Sequence, residues 1–296
     1  MDGQSGPIVP RAIMDSLNRT LGHLRMLPEV AQQALVVASS PDCDLQELGR
    51  IIQRDIRLAT FILRIANSSA FGSPRAIGSL PKAILFIGAR RVQSLIIASS
   101  LDAISAHVPA AVRQSQGTLW VHGFMTGILA TRLNALFGLG FDGEQFTAGL
   151  MHDFGRTLIL IADPLNSPHL DPLDFVEPAN IEDRERAMLG VSHAELGAWF
   201  AEVNELPGSL VAAIQWHHQP RHAGPWTRLA ALIATADHAA NSLQRVPPQR
   251  PYAPESNPAV MVLEEEGVLM AASKLSKNIE SILDGALQEA LALSAL

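Results

Sequence analysis

Apolar residues recur every three or four positions along most of the chain, as in the series Ile13, Leu17 and Leu21 near its start. This spacing places apolar side chains on one face of an α-helix, whereas a half-buried strand would alternate with period two. The segment VMVLEEEGVL resembles a short strand, but its context is helical. The pattern therefore predicts an all-α fold, a multi-helix bundle. Helices are predicted over residues 29–38, 56–67, 115–138, 143–162, 180–189, 192–204, 207–217, 226–244, 259–271 and 274–294.

Local signals mark where several helices begin, turn or end. Asp44 precedes an apolar helical series and has Glu47 three residues later, so Asp44 is predicted to cap the start of a helix. Gly88 lies between two short apolar helical patterns and permits a tight turn between them. Asn67 closes the helix over 56–67, where its side chain suits a capping role.

Composition changes along the chain predict four parts. The segment AHVPAAVRQSQG interrupts the helical pattern, which separates an N-terminal helical subdomain at 1–110 from a second helical subdomain at 111–246. The segment PPQRPYAPESNP, residues 247–258, contains five prolines and is expected to be a loop. Residues 259–296 are expected to form C-terminal helices that pack on the bundle.

The overall composition is that of a well-buried globular protein, with 48% hydrophobic and 17% charged residues among 296. The net charge of -7 argues against broad nucleic-acid binding, which needs a basic face to displace counterions. The single cysteine, Cys43, excludes an internal disulfide and fits a cytoplasmic location. No signal peptide and no long, predominantly apolar run that could span a membrane is evident, so no membrane association is expected.

Several of the ten histidines concentrate, together with aspartates, in or at the ends of predicted helices. The candidate metal ligands, which lie on five separate helices, are His122, His152, Asp153, His193, His217, His218 and Asp237. His238 follows Asp237 directly and is expected to point elsewhere, so it is taken as structural. The same interpretation applies to His23, His107, His169 and His222.

Imidazole nitrogens combined with carboxylate oxygens suit a divalent transition metal such as Fe, Mn, Zn or Ni, and one or two ions are expected. A carboxylate beside a histidine, as in the pair His152–Asp153, can bridge two metals. A bridged pair can acidify a bound water and produce a hydroxide that attacks phosphorus. Each residue also has a structural explanation, since a lone histidine on an apolar helix is more often part of the core. The prediction therefore depends on the whole ordered set.

This order of residues resembles the HD metal-dependent phosphohydrolase superfamily, whose H…HD…D positions match His122, His152, Asp153 and Asp237. The additional histidines resemble the HD-GYP branch, whose members use them to hold a second metal and hydrolyse cyclic di-GMP. Over about residues 20–245 the chain more specifically resembles the HDOD family, through LPEVAQQAL, the run from LGRIIQRD to VQSLII, AGLMHDFGR and AIQWHHQP. The resemblance implies a signalling output module.

The chain departs from these relatives at several positions. Many HDOD proteins have lost the metal ligands, whereas every HD ligand position is filled here. The GYP signature is missing, and Gln219 stands where HD-GYP proteins have a glutamate. Arg156 stands where related motifs have a lysine, and its guanidinium could hold a phosphate oxygen.

Three functions follow from these observations. The first is an HDOD-type regulatory protein that binds a signalling partner or a nucleotide, with cyclic di-GMP as one candidate. The second is an active metal-dependent phosphohydrolase, in which Asp153 and Arg156 would be catalytic. The third and least favoured is DNA binding through the helices around 44–67, because the candidate recognition helix is mostly apolar. The apolar final helix leaves homodimerisation open.

Overall fold

In a computed structural model of the protein, residues 9–21, 28–38, 40, 42–68, 76–176, 180–245 and 252–294 are described. They contain α-helices and short 3-10 turns but no β-strand, so the predicted all-α bundle is confirmed. The first six helices are α1 (Arg11–Leu21), α2 (Glu29–Ala38), α3 (Leu45–Ile52), α4 (Ile56–Ala66), α5 (Leu80–Ile87) and α6 (Ala89–Ser105).

The predicted signals in this first part operate as expected. The Asp44 carboxylate accepts hydrogen bonds from the backbone N–H groups of Gln46 and Glu47 and so caps α3. Gly88 has φ +87° and is the only residue between the end of α5 and the start of α6. Asn67 ends α4, and its side chain bonds both backbone groups of Ile77, which fixes the chain that leads to α5.

The helices of the remaining chain pack mainly around α7, the longest of those described. They are α7 (Arg113–Phe137), α8 (Glu144–Met151), α9 (Phe154–Ala162), α10 (Ser167–Leu170), α11 (Ile181–Leu189), α12 (His193–Val203), α13 (Gly208–Trp216), α14 (Thr227–Gln244), α15 (Pro258–Glu265), α16 (Ala271–Leu283) and α17 (Ala286–Ser294). Helices α8, α14 and α17 all lie against α7. The boundary between subdomains near residue 110 stays a prediction.

Two helix predictions are wrong in their boundaries. The single helix predicted over 143–162 is interrupted at His152 and Asp153, where the backbone of Asp153 leaves the helical region with φ −101° and ψ 11°. Two helices are predicted over 259–271 and 274–294, but the structure has three. Gly285, with φ +66°, separates α16 from α17 within the second predicted range. The strand-like VMVLEEEGVL lies mostly in α15.

The proline-rich segment is described only in part. Residues 247–251 lie outside the described residues, and 252–257 form a loop with one 3-10 turn at Pro254–Ser256. Buried Asn257 caps α15 and also donates to the backbone oxygen of Thr235 on α14. The described end of this segment is therefore anchored to the bundle.

Glycines allow the helices that carry the candidate ligands to approach closely. A β-carbon placed at Gly149 of α8 would lie 2.7 Å from the Cα of Gly127 on α7. A β-carbon at Gly155 of α9 would lie 2.9 Å from the backbone nitrogen of Gly197 on α12. Side chains at these positions would separate the helix pairs. Gly149 and Gly155, which flank the His-Asp pair, therefore permit close packing around it.

None of the described helices is by itself both long and apolar enough to cross a membrane. The bent pair α5 and α6 reaches the necessary length and composition only when its two parts are joined across an angle of 113°. Many apolar side chains of this pair, such as Ile84 and Ile96, are buried in the core of the protein.

Candidate metal centre

All seven predicted ligands meet at one buried place among the helices. His122 lies on α7, His152 and Asp153 in the break between α8 and α9, His193 at the start of α12, His217 and His218 directly after α13, and Asp237 on α14. Six of the seven are buried, with at most 6% of the residue exposed, and His218 is half-buried. The two adjacent histidines reach one site because α13 ends at Trp216, as their spacing requires.

One half of the centre consists of His122, His152 and Asp237. The Nε2 atom of His122 lies 2.9 Å from Oδ1 of Asp237, and Nε2 of His152 lies 3.5 Å from the same oxygen. One donor atom of each residue lies within 4.8 Å of the others. These three donors could therefore share a cation.

The other half consists of His193, His217 and His218. Their Nε2 atoms converge, since that of His193 lies 2.9 Å from that of His218 and 3.4 Å from that of His217. Ring nitrogens that share no proton repel each other at such distances, and a cation between them removes the repulsion.

Asp153 lies between the two halves and presents one oxygen to each. Its Oδ2 is 3.5 Å from Nε2 of His152 and 3.8 Å from that of His122. Its Oδ1 is 3.4 Å from Nε2 of His193 and 3.6 Å from that of His217. The carboxylate therefore has the placement of a bridge between two cation positions.

Hydrogen bonds at the far side of the rings fix which nitrogen faces the centre. The Nδ1–H of His152 donates to the backbone oxygen of Gly149 at 2.7 Å, and that of His217 to Ile214 at 2.7 Å. Nδ1–H of His122 donates to Oε1 of Gln244 at 2.7 Å, and that of His193 donates to Oε2 of Glu185 at 2.6 Å. With Nδ1 protonated, the neutral ring directs the lone pair of Nε2 inwards, as metal ligation requires.

Two polar atoms of the centre have no hydrogen-bond partner, namely Nε2 of His152 and Oδ1 of Asp153. Buried polar atoms are normally satisfied, so such orphans need an explanation. Both atoms point into the centre, and a divalent cation would satisfy both. The donor set, nitrogen with carboxylate oxygen, fits the transition metals expected from the sequence.

The electrostatics of the centre are those of a cation site. Burial would raise the pKa of Asp153, but the charge of Arg156 and the imidazole of His152 hold that pKa well below its usual value. Burial, together with the neighbouring imidazole of His217, lowers the pKa of His218 well below its usual value, which keeps that ring neutral and able to ligate. Burial also opposes a charge on His122, but its hydrogen bond to Asp237 raises its pKa. A proton on His122 can thus take the place of a cation beside Asp237.

Arg156, the other predicted catalytic residue, lies at the edge of the centre. Its Nε is 3.2 Å from Oδ1 of Asp153, and its Nη1 donates to Oδ2 of Asp171 at 2.7 Å. Beside it is a cavity of about 140 Å³, lined also by Phe175 and Arg184. The Phe175 ring stacks on His122, with centroids 5.1 Å apart, and its backbone has φ +57°. Arg156 and Phe175 thus separate the centre from this cavity.

The remaining histidines stay away from the centre. His238 bonds the hydroxyl of Tyr252 through Nδ1, as expected for a structural residue. His107, His169 and His222 are exposed. His23 lies outside the described residues. Sequence reasoning missed the supporting residues Glu185, Gln244 and Asp171, which touch ligands or Arg156 rather than the centre itself.

The protein is all-α and buries a set of histidines and aspartates among its helices, in the chain order H…HD…H…HH…D. A model of the HDOD domain family matches residues 24–220, most of the chain. The chain therefore belongs to the HDOD family.

Proteins of known structure share this fold. A candidate phosphohydrolase from Shewanella amazonensis SB2B is 22% identical and has a TM-score of 0.70 over 96% of this chain and 98% of its own. An HDOD domain protein of unknown function from Geobacter sulfurreducens is 19% identical, with a TM-score of 0.70 over 94% and 98%. A candidate signal transduction protein from Marinobacter aquaeolei VT8 is 19% identical, with a TM-score of 0.60 over 96% and 66%. At these identities the likeness shows the fold.

An uncharacterised protein of Treponema pallidum is 24% identical over 238 residues. That alignment covers 80% of this chain but 45% of the Treponema protein, so the chain spans less than half the length of this relative.

Proposed function

We propose that this HDOD protein is a metal-dependent phosphohydrolase that cleaves a phosphate ester, with a nucleotide such as cyclic di-GMP as the first substrate class to test. The observation that carries the proposal is the position of Asp153, whose two oxygens each face a separate group of inward-directed donors. A carboxylate that bridges two cations is the recurring core of two-metal phosphoester hydrolysis.

The chain offers a ligand set for each ion. His122, His152 and Asp237 would hold one ion, and His193, His217 and His218 the other, with Asp153 shared between them. Iron, manganese, zinc or nickel suits these donors. When bound, such a pair supplies a Lewis acid for the phosphate and lowers the pKa of a coordinated water.

The residues around the ligands prepare the centre for an anion. Arg156 remains charged at any physiological pH and carries donors in a rigid fork, which suits a phosphate oxygen. It lies between Asp153 and the cavity beside Phe175, which Asp171, Asp174 and Arg184 also line, so a phosphate in that cavity would take the place of Asp171 at Nη1 of Arg156. The cavity of about 140 Å³ admits a phosphate group, whereas sites for whole ligands of drug size are about 300 Å³ or more. The rest of such a ligand would lie outside it.

A regulatory function without turnover is the second candidate, and the burial of the centre favours it. Only His218 among the seven ligands is more than slightly exposed. A centre closed in this way could hold metal to support the fold, or could bind a nucleotide phosphate and transmit that event to a signalling partner. The helices α1 to α6, which carry none of the ligands, offer surface for such a partner.

The first experiment is elemental analysis of the purified wild-type protein beside His152→Ala and Asp153→Ala. His169→Ala is the matched control, because this histidine is exposed and belongs to neither group of donors. About two equivalents of a transition metal in wild type and control, lost in Asp153→Ala, are expected. Absence of metal from wild type after reloading would overturn the phosphohydrolase and leave only a regulatory function that needs no metal.

A second experiment separates turnover from binding. Metal-loaded protein is incubated with a panel of nucleotides, including cyclic di-GMP, in Mn²⁺, Fe²⁺ or Ni²⁺, and hydrolysis products are measured. Turnover that Asp153→Ala abolishes is expected for the phosphohydrolase. Saturable nucleotide binding without product in calorimetry would instead establish the regulatory alternative.

A further inference from the structure

Glu185 on α11 is a buried carboxylate that the chemistry above does not use. It is 1% exposed, and its Oε2 accepts two hydrogen bonds from the same residue, at 2.6 Å from Nδ1 of His193 and 2.8 Å from the backbone nitrogen of His193. A buried charge is costly unless it is paired, and here the pairing is concentrated on one metal ligand.

The two bonds fix the ligand in both its main chain and its side chain. His193 is the first residue of α12, so its backbone N–H has no partner within the helix. A carboxylate at that end of a helix is favoured by the helix dipole. The same oxygen sets the protonation of the ring, since Nδ1–H donates to it and Nε2 is left as the donor to the centre.

The two halves of the centre differ in where their negative charge lies. The half of His122 and His152 has its own carboxylate, Asp237, and the far nitrogens of its rings face a neutral amide and a backbone carbonyl. The half of His193, His217 and His218 contains three imidazoles and shares only Asp153. The Asp153 oxygen on that side is also 3.2 Å from the cationic Nε of Arg156. Without Glu185 this half would be poor in negative charge.

We propose that Glu185 is a positioning residue that enables the half formed by His193, His217 and His218 to hold its own metal ion. Glu185 polarises the ring of His193, which makes Nε2 a stronger electron-pair donor to the metal. Its negative charge also compensates for the charge of the ion. The inference rests on the proposed metal centre and adds that the two positions depend on different supports. Groups bonded to the far nitrogen of a metal-bound histidine typically contribute 10- to 100-fold in affinity.

The test is Glu185→Gln, which keeps the shape of the side chain and an acceptor oxygen but removes the charge. Elemental analysis is expected to fall from about two equivalents of metal to about one. In a Co²⁺ titration followed by visible absorption, one of two binding steps is expected to weaken by about tenfold or more, while the other is unchanged. Circular dichroism confirms that the helices are intact, which separates this effect from unfolding.

Two control variants sharpen the result. Asp183→Asn removes a carboxylate from the same helix, one that is exposed and pairs with Arg186 and not His193, and is expected to keep both equivalents. Gln244→Leu removes the acceptor behind His122 and is expected to weaken the other binding step. If Glu185→Gln fails to fold, Glu185→Asp, which withdraws the oxygen by one methylene, should weaken the same single step to a smaller extent.

The outcomes distinguish this inference from the proposed function. Two equivalents in wild type and two tightly bound equivalents in Glu185→Gln would overturn the role of Glu185 and leave the metal centre standing. Loss of both equivalents would also overturn it, because the two positions would not depend on different supports. Absence of metal from wild type would overturn the centre itself, and this inference with it.

Discussion

The helices α1 to α6 and the helices α7 to α14 treat buried polar groups in opposite ways. Among the residues from 9 to 105 whose side chains the structure describes, the buried polar residues are Ser94 and Ser100, and both hydroxyls bond a backbone oxygen of their own helix. Between residues 113 and 244 the structure buries charged and imidazole side chains at one place. They are His122, His152, Asp153, Arg156, Glu185, His193, His217 and Asp237.

The contrast indicates that the first region is optimised for apolar packing. The second region contains buried polar groups that lower its stability but that its proposed chemistry requires. A buried serine bonded to its own helix costs little, whereas buried charges cost several kcal/mol each unless other charges or a metal compensate them. A stable fold alone would not need eight such residues together. Stability in the second region should therefore depend on what the centre binds, and stability in the first should not.

Removal of the metal is expected to have the largest effect on the difference in stability between the two regions. If the free metal is held at a thousand times its dissociation constant, chelation is expected to lower the free energy of unfolding by about 4 kcal/mol for each ion bound. The loss should appear locally in amide hydrogen exchange, as reduced protection of α8, α9, α12 and α14 while α3 to α6 keep theirs.

Asp153→Ala serves as the control for chelation, because a protein without the bridge has little metal to lose and its stability should not respond to the chelator. Equal loss of protection in α4 and α9 of the wild-type protein would contradict the division between the two regions.

The same contrast explains how far the sequence alone could lead. The residues that meet at the centre could be predicted because an ordered set of histidines and aspartates in otherwise apolar helices has few structural explanations. Glu185 could not, because it lies in IEDRERAML, where alternating charges look like a solvated helix face. Only the packing of α11 against the start of α12 turns that one carboxylate inwards.

The helix boundaries show a related limit. Residues on both sides of His152–Asp153 keep the apolar pattern of a helix, so nothing local indicates the break between α8 and α9. The break follows from tertiary demands, since both adjacent side chains face the centre. Gly285 was a visible signal for the end of α16, but one glycine in an otherwise periodic segment is weak.

A methyl group added at the contact between α9 and α12 is expected to lower stability by less than removal of the metal does. Gly155→Ala is expected to cost about 2 kcal/mol of stability, because the new carbon would lie 2.7 Å from the carbonyl carbon of His193 and neither helix can yield easily. Since His193 must shift, metal affinity should fall as well. Chemical denaturation and metal titration measure the two effects.

Gly117→Ala is the matched control on α7, where a β-carbon meets nothing within 4 Å. It is expected to stabilise the protein by about 0.5 kcal/mol through reduced freedom of the unfolded chain, with no change in metal affinity. A Gly155→Ala protein with wild-type metal affinity would show that close packing of α9 on α12 does not position His193. A destabilised Gly117→Ala would show that the stability loss of Gly155→Ala is not specific to that contact.

The finest test compares two helix caps of similar chemistry, one in each region. Asp44 caps α3, and Ser192 caps α12 by accepting from the backbone nitrogen of Glu195, whose carboxylate in turn accepts from the backbone nitrogen of Ser192. Asp44→Ala and Ser192→Ala are each expected to cost about 1 kcal/mol of stability. Metal affinity should fall in Ser192→Ala alone, because the residue after this cap is His193, a proposed ligand, whereas α3 carries none of the proposed ligands. Equal metal titrations for the two variants would mean that the start of α12 is held in place by Glu185 without help from its cap.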